Sequence, residues 1–335
     1  MQNNKLNNTI EPLCDPANDR FAIFPISYDP IWKLYKHMQS MYWKAEEIDL
    51  SNDYTDMMAL PKEEQHIIRM ILAFFANADG IVNFNIRKRF LDEFKVPEVQ
   101  VAYSWQQMIE NIHNEMYSLM LMNLIKDTNE RNELFNAVNT VPSIKLMKEW
   151  AFKWIDDEKA TIGHRLIASA CTELIFFGSS FLTIFWLKKY RNGGKNILNG
   201  LVKSNQFIAR DETTHGMMGC MLYGYVVNKL QQQEVYDIVT ESVEIAKVFA
   251  KDVIQGELIG MNITMMNEYI EYIADRLLVM LQYNKYYNTI NPYPFMEAIS
   301  LIGKNNFFEA RSTEYTTAHT SENVTRSQIN LLEDF

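Results

Sequence analysis

From about residue 61 to residue 290, apolar side chains recur three and four positions apart in one long stretch after another. That spacing keeps them on one face of an α-helix. Faces of this kind have to be hidden against one another, so the pattern specifies a helical bundle and counts against a sheet-based core. The punctuation agrees: glycine (12) and proline (9) are scarce among 335 residues, while methionine, a good helix former, numbers 19. After an extended FAIFPISYDPIW, Asp29-Pro30 turns the chain into a helix over 31–47. Pro61 opens another through IIRMILAFFANADGIVNFNI, and Pro97 a third through VAYSWQQMIENIHNEMYSLMLMNLI. Further helices are expected over 142–155, 161–189, 197–230, 233–254 and 257–281. No internal repeat and no Gly/Ser-rich linker interrupts the run. One all-α domain is therefore expected over 21–311, after a polar arm (1–20) and before a polar, flexible tail (312–335).

The net charge of -10 counts against a nucleic-acid partner, which normally meets a basic face. Cys14, Cys171 and Cys220 are far apart and lack metal-ligand spacing, so they read as reduced thiols. The opening MQNNKLNNTIEPL is polar, and a cytoplasmic location is expected. Residues 174–187 (LIFFGSSFLTIFWL) are the most lipid-like run. At 14 residues, with two serines and a threonine, they suit a buried core helix rather than a membrane span.

The chain has only six histidines, and three of them close an E-x-x-H: Glu63/His66, Glu110/His113 and Glu212/His215. The first follows Pro61-Lys62, where acids suit the positive end of a helix dipole, so it reads as structural. The other two lie inside apolar helical stretches, where an unpaired carboxylate is costly. Bundles that hold two metal ions take Glu-x-x-His from each of two helices and one carboxylate from each of two more. Glu173, alone in SACTELIFFGSSF, is one candidate for the remaining pair. Asp49, at the end of WKAEEIDL, is the other, although with Glu46 and Glu47 it could equally form a solvated acidic face. The four acids Asp49, Glu110, Glu173 and Glu212 would balance two divalent ions, or two trivalent ions with a bridging oxide. Oxygen and nitrogen donors without thiolate favour iron or manganese.

Tyr117 falls one turn beyond His113, about 6 Å along the helix, where a phenol beside two metal ions can lose an electron and a proton to become a radical. Phe177 and Phe181, one and two turns after Glu173, and Ile208, one turn before Glu212, could shield that radical. Core packing explains these three equally well.

The segments RFAIFPISY, IWKLYK, WKAEEIDL, FFANADGIVN, ENIHNEMYSL, the Glu173 segment with IFWLKK, ARDETTH, ELIGMN, ADRLL and NPYPFMEAISLIGKNNFFEAR together resemble the small, radical-generating subunit of class I ribonucleotide reductases. The resemblance runs over about residues 18–335 and is nearest the eukaryotic and large-DNA-virus branch. It implies a ferritin-like bundle with additional helices, two iron ions per chain in an oxo-bridged centre with manganese as the alternative, and a stable radical on Tyr117. Its implied ligands are Asp49, Glu110, His113, Glu173, Glu212 and His215. It further implies an electron relay through Trp32, Asp211 (which orients His113) and Tyr315 in the tail, a homodimer, and a separate large subunit that reduces ribonucleoside diphosphates. In the tail, Leu331, Leu332 and Phe335 are the apolar anchors available to dock that subunit. Four positions depart from the expected wording: Leu174 where glycine is expected, Thr213-Thr214 where Gly-Leu is, and Phe84 where an acid is common. A di-iron oxidase or ferroxidase on the same scaffold would use the six ligands but not Tyr117 or the tail. A non-catalytic partner subunit would not need the ligands.

Overall fold

The computed structural model describes residues 10–190, 197–256 and 258–296. Helices follow one another along the chain as α1 (Asp29–Ser40), α2 (Asp53–Met58), α3 (Lys62–Asn85), α4 (Leu91–Glu93), α5 (Pro97–Leu124), α6 (Thr128–Phe135) and α7 (Ala137–Thr140). They continue as α8 (Pro142–Asp156), α9 (Ile162–Cys171), α10 (Phe177–Tyr190), α11 (Asn199–Gly224), α12 (Gln232–Val253) and α13 (Ile263–Met280). No strand occurs among the described residues, so the all-α expectation holds. The helical unit runs to Pro294, and a second unit begins at Phe295.

Helix starts follow the sequence closely because the starts are local. Pro97 and Pro142 occupy first turns, where a missing N–H costs nothing, and the Asn262 side chain accepts the Met265 N–H at 2.9 Å to open α13. Ends and interruptions are less local. The helix expected over 31–47 stops at Ser40, and a separate 3-10 turn (Ala45–Glu47) follows, held by the Lys44 N–H on the Glu47 carboxylate at 2.9 Å. The single helix expected over 161–189 contains a π turn at Thr172–Phe176, between α9 and α10. The helix expected over 197–230 ends at Gly224, and beyond it the Glu11 carboxylate accepts the N–H groups of Val227 and Asn228.

Four helical stretches pack together in the middle of the unit. α5, with 28 residues, is about 42 Å long. It packs on α3, while α9, the π turn and α10 pack on α11, and α11 also meets α5. Two helical stretches, Lys62–Glu93 and Ile162–Tyr190, are long and apolar enough to cross a membrane by length and composition. In the second, which contains residues 174–187, 83% of an apolar 18-residue segment is buried within the unit. The N-terminus of α11 is placed by Asp53, whose carboxylate accepts the N–H groups of Gly200 (3.1 Å) and Leu201 (2.7 Å).

Candidate metal centre

Each of these four elements carries charge into the same interior. α3 contributes Asp79, α5 contributes Glu110 and His113, the π turn contributes Glu173, and α11 contributes Glu212 and His215. All six are at most 3% exposed. Their donor atoms form two overlapping groups: Asp79, Glu110, His113 and Glu212, and Glu110, Glu173, Glu212 and His215, each with one ligand atom per residue within 4.8 Å of the others. Glu110 and Glu212 belong to both groups. Each position thus has its own histidine and its own terminal carboxylate, with two shared glutamates between them, which is the donor set of a two-metal carboxylate site.

Orientation comes from hydrogen bonds on the far side of the ligands. His113 Nε2 lies 3.2 Å from Asp211 Oδ2, which leaves Nδ1 facing Glu212 (2.8 Å) and Glu110 (3.1 Å). Asp211 is itself held by Trp43, whose Nε1–H donates to Oδ2 at 2.8 Å, and by the Arg210 guanidinium on Oδ1. Trp43 also stacks on the His113 ring, 5.9 Å between centroids and 23° between planes. The buried Gln106 donates to Glu110 Oε1 and Glu173 Oε1, both at 3.0 Å, so it spaces two carboxylates that would otherwise repel. His215 Nδ1 sits 2.9 Å from Glu212 and 3.0 Å from Glu110.

The electrostatics call for cations. Burial, then the charges of Glu110 and Glu212, pushes Asp79 well above the carboxylate range. Burial, then Glu212 and Glu110, does the same to Glu173. Burial would raise Glu110 too, but His215 and His113 bring it below its usual value. Burial opposes a charge on His215, yet Glu110 and Glu212 raise it to about 9. Both oxygens of Asp79 and Oε2 of Glu173 are buried without a hydrogen-bond partner, an expensive state for acceptors unless a cation meets them. The residues fit a metal site.

Five of the six expected ligands therefore meet, and the sixth is corrected. Asp49 is exposed, and its Oδ1 accepts the Ser51 N–H at 2.9 Å, a local turn whose backbone bond lowers the carboxyl below its usual value. Its backbone carbonyl, rather than its side chain, faces α11: a Cβ on Gly200 would come within 2.6 Å of that oxygen. Asp79 takes the place instead, and its signal was legible as the lone acid in the apolar helix FFANADGIVN. Trp32 is corrected as well. It is half-buried on α1, against Phe24 (5.7 Å) and Tyr35 (5.2 Å), whereas Trp43 makes the bond to Asp211. Asp211 does stand behind His113 as expected. His66 of the first E-x-x-H bonds the Asp252 carbonyl at 2.8 Å, and Glu63 is exposed, so that pair is structural.

Tyr117 is 1% exposed, and its hydroxyl has no hydrogen-bond partner. Burial, then Asp79, raises the phenol well above its usual range. Its ring stacks on Phe75 (4.9 Å), and Phe75 in turn contacts Phe181 (4.9 Å) and Phe177 (5.7 Å). The two expected shielding phenylalanines therefore reach Tyr117 through Phe75, which sequence reasoning missed. Ile208 is fully buried on α11. Of the departures, Thr213 and Thr214 turn their hydroxyls back to the carbonyls of Ala209 and Arg210, and Phe84 packs against Phe152 with the rings tilted, 5.4 Å between centroids. Neither places a donor among the ligands. Burial raises Cys14 and Cys171 to about 12, in keeping with inert thiols. Tyr315, Leu331, Leu332 and Phe335 lie outside the described residues.

The family model for the ribonucleotide reductase small chain matches residues 20–292. Subunit M2 of ribonucleoside-diphosphate reductase from Rattus norvegicus is 45% identical over 97% of this chain and 82% of its own length. The ribonucleoside-diphosphate reductase small chain of Vaccinia virus (strain Ankara) is 45% identical over 91% of this chain and 94% of its own. Among solved structures, the ribonucleotide reductase Rnr4 homodimer from Saccharomyces cerevisiae superposes with a TM-score of 0.77 at 32% identity, covering 89% of this chain and 90% of that one. With the helical scaffold, the paired Glu-x-x-His ligands and these matches in agreement, the chain belongs to the ribonucleotide reductase small-chain family.

Proposed function

We propose that this chain is the radical-generating small subunit of ribonucleoside-diphosphate reductase, in which Tyr117 holds the oxidising equivalent. The observation that carries the reading is a buried phenol with an unpartnered hydroxyl, one turn beyond His113 and close enough to Asp79 and Glu212 for their charges to act on it. Asp79, Glu110, His113, Glu173, Glu212 and His215 would hold two ions. Iron fits this donor set, with manganese as the alternative. Bound there, such ions would, with dioxygen as the oxidant and one further electron from an external reductant, supply the oxidising power that a phenol demands.

The chain's residues do the rest. Tyr117 gives up one electron and the proton on Oη. Phe75, with Phe177 and Phe181 behind it, covers one face of the ring with a group that has no hydrogen to donate readily, and burial keeps water from quenching it. The Trp43 Nε1–H, Asp211 and His113 Nε2 form a continuous hydrogen-bonded path out of the centre, suited to passing an electron together with a proton. The equivalent then serves a large subunit that reduces ribonucleoside diphosphates to deoxyribonucleotides. Tyr315 acts as the tail's relay, and Leu331, Leu332 and Phe335 as its anchors. A homodimer in the cytoplasm completes the assignment.

The complete ligand set counts against a non-catalytic partner subunit, and the sequestered Tyr117 against a plain ferroxidase. In iron-reconstituted protein, Tyr117→Phe should keep its metal content but lose the tyrosyl signal in electron paramagnetic resonance and all nucleotide reduction with the large subunit. A radical of unchanged line shape in that variant would refute the assignment. Deleting residues 329–335 should preserve the radical and abolish reduction, because a few apolar side chains carry most of a docking energy. Full activity after truncation would remove the tail from the reading.

A further inference from the structure

Leu174, one of the residues that depart from the family wording, is seated against a glycine on the facing helix. A Cβ placed on Gly216 would lie 2.4 Å from Leu174 Cγ, 2.6 Å from Cδ2 and 3.0 Å from Cδ1. The leucine's whole branch point occupies the notch, so no flexible end could swing away to make room. The two positions have telling neighbours: Leu174 follows Glu173 in the π turn, and Gly216 follows His215 in α11. Glu173 and His215 fall in the same four-residue group, the one without Asp79 and His113. The other position has separate supports, since His113 leans on Asp211, Trp43 and Arg210.

We propose that Leu174 and Gly216 are a positioning pair that sets the spacing between Glu173 and His215 and so governs one of the two metal positions selectively. This rests on the metal centre described above. Filling the notch forces the π turn and α11 apart, and the shift is carried by the backbone that the two ligands share with the pair. Strain of this kind is not absorbed by a well-packed interior.

Cobalt(II) titration of the full-length protein without oxygen, read by visible absorption and metal analysis, tests the pair, with circular dichroism to verify folding. The wild-type chain should take up two ions. Gly216→Ala should bind one of them as before and the other about tenfold more weakly, the change expected from ordinary overpacking. Adding Asp79→Ala to Gly216→Ala should then remove the remaining ion, and adding Leu174→Ala instead should restore the weakened one. The proposal fails if both ions bind Gly216→Ala with wild-type affinity, if both weaken alike, or if Leu174→Ala does not rescue. Should Gly216→Ala not fold, Leu174→Ala alone should weaken the same single ion, and unchanged binding of both would overturn the proposal. A wild-type chain that takes up no cobalt would instead overturn the metal centre beneath it.

Discussion

The segments WKAEEIDL and FFANADGIVN each contain an acid that could complete the ligand set, and the protein treats them oppositely. In the first, Asp49 is exposed and satisfied by the N–H of Ser51 two residues on, while Trp43 at the other end turns inward to Asp211 and His113. In the second, Asp79 is fully buried with neither oxygen hydrogen-bonded, and Phe75 one turn earlier stacks on Tyr117. A cluster of acids on a turn can bind water and its own backbone, so it needs no cation. A single acid inside an apolar helix has no such recourse. Burial without a partner, rather than density of charge, marked the ligand.

The sharpest way to break this contrast is to remove each acid in turn. Asp79→Ala should lower the metal content of reconstituted protein from about two ions per chain to one or fewer, since a ligand lost from a closed donor set costs most of a site's affinity. Asp49→Ala should leave it unchanged. Metal analysis with the opposite result would return Asp49 to the centre. The tryptophans provide the next contrast: Trp43→Phe removes the Nε1–H on Asp211 and should cut nucleotide reduction by about tenfold to a hundredfold, as loss of a ligand's outer partner commonly does. Trp32→Phe should stay within about twofold, because Trp32 lies among Phe24 and Tyr35 rather than beside Asp211. Equal losses in the two variants would detach the relay from Trp43.

The smallest effect sharpens the role of partners. Glu98 is as buried as Asp79, at 0% exposed, but Oε1 takes hydrogen bonds from Arg20, Ser27 and Tyr28. Glu98→Gln should leave metal content intact and cost about 1.5–3 kcal/mol of stability, the range for a charged hydrogen bond, measured by urea unfolding. Burial would raise this carboxyl, yet its backbone and Arg20 bonds bring it below its usual value. Its contribution is therefore present in full above the unfolded pKa of about 4.3 and disappears as pH falls through the lower folded value. The wild type and Glu98→Gln should converge in stability below that window. A gap that persists undiminished there would mean that packing, not charge, holds the arm to α5.

What was legible in the sequence was what depends on neighbours along the chain. Helical periodicity, proline at helix starts and the i, i+3 spacing of Glu110/His113 and Glu212/His215 are local geometry, so they placed the bundle, both Glu-x-x-His pairs, Tyr117 and the isolated Glu173. Asp211 behind His113 was legible only through its family resemblance. Tertiary structure decided the rest, because it depends on which faces of distant helices meet. Asp79 stands 31 residues before Glu110, and only the packing of α3 on α5, which itself meets α11, brings it to the other donors. The choice of Trp43 over Trp32 follows from α1 ending at Ser40, which frees the next residues to bend inward. Gln106 and Phe75 looked like ordinary helix residues until the carboxylates and the phenol they touch were brought beside them. A chain's periodicity states which face is buried, but the partner that face will meet is settled by close packing among all the helices at once.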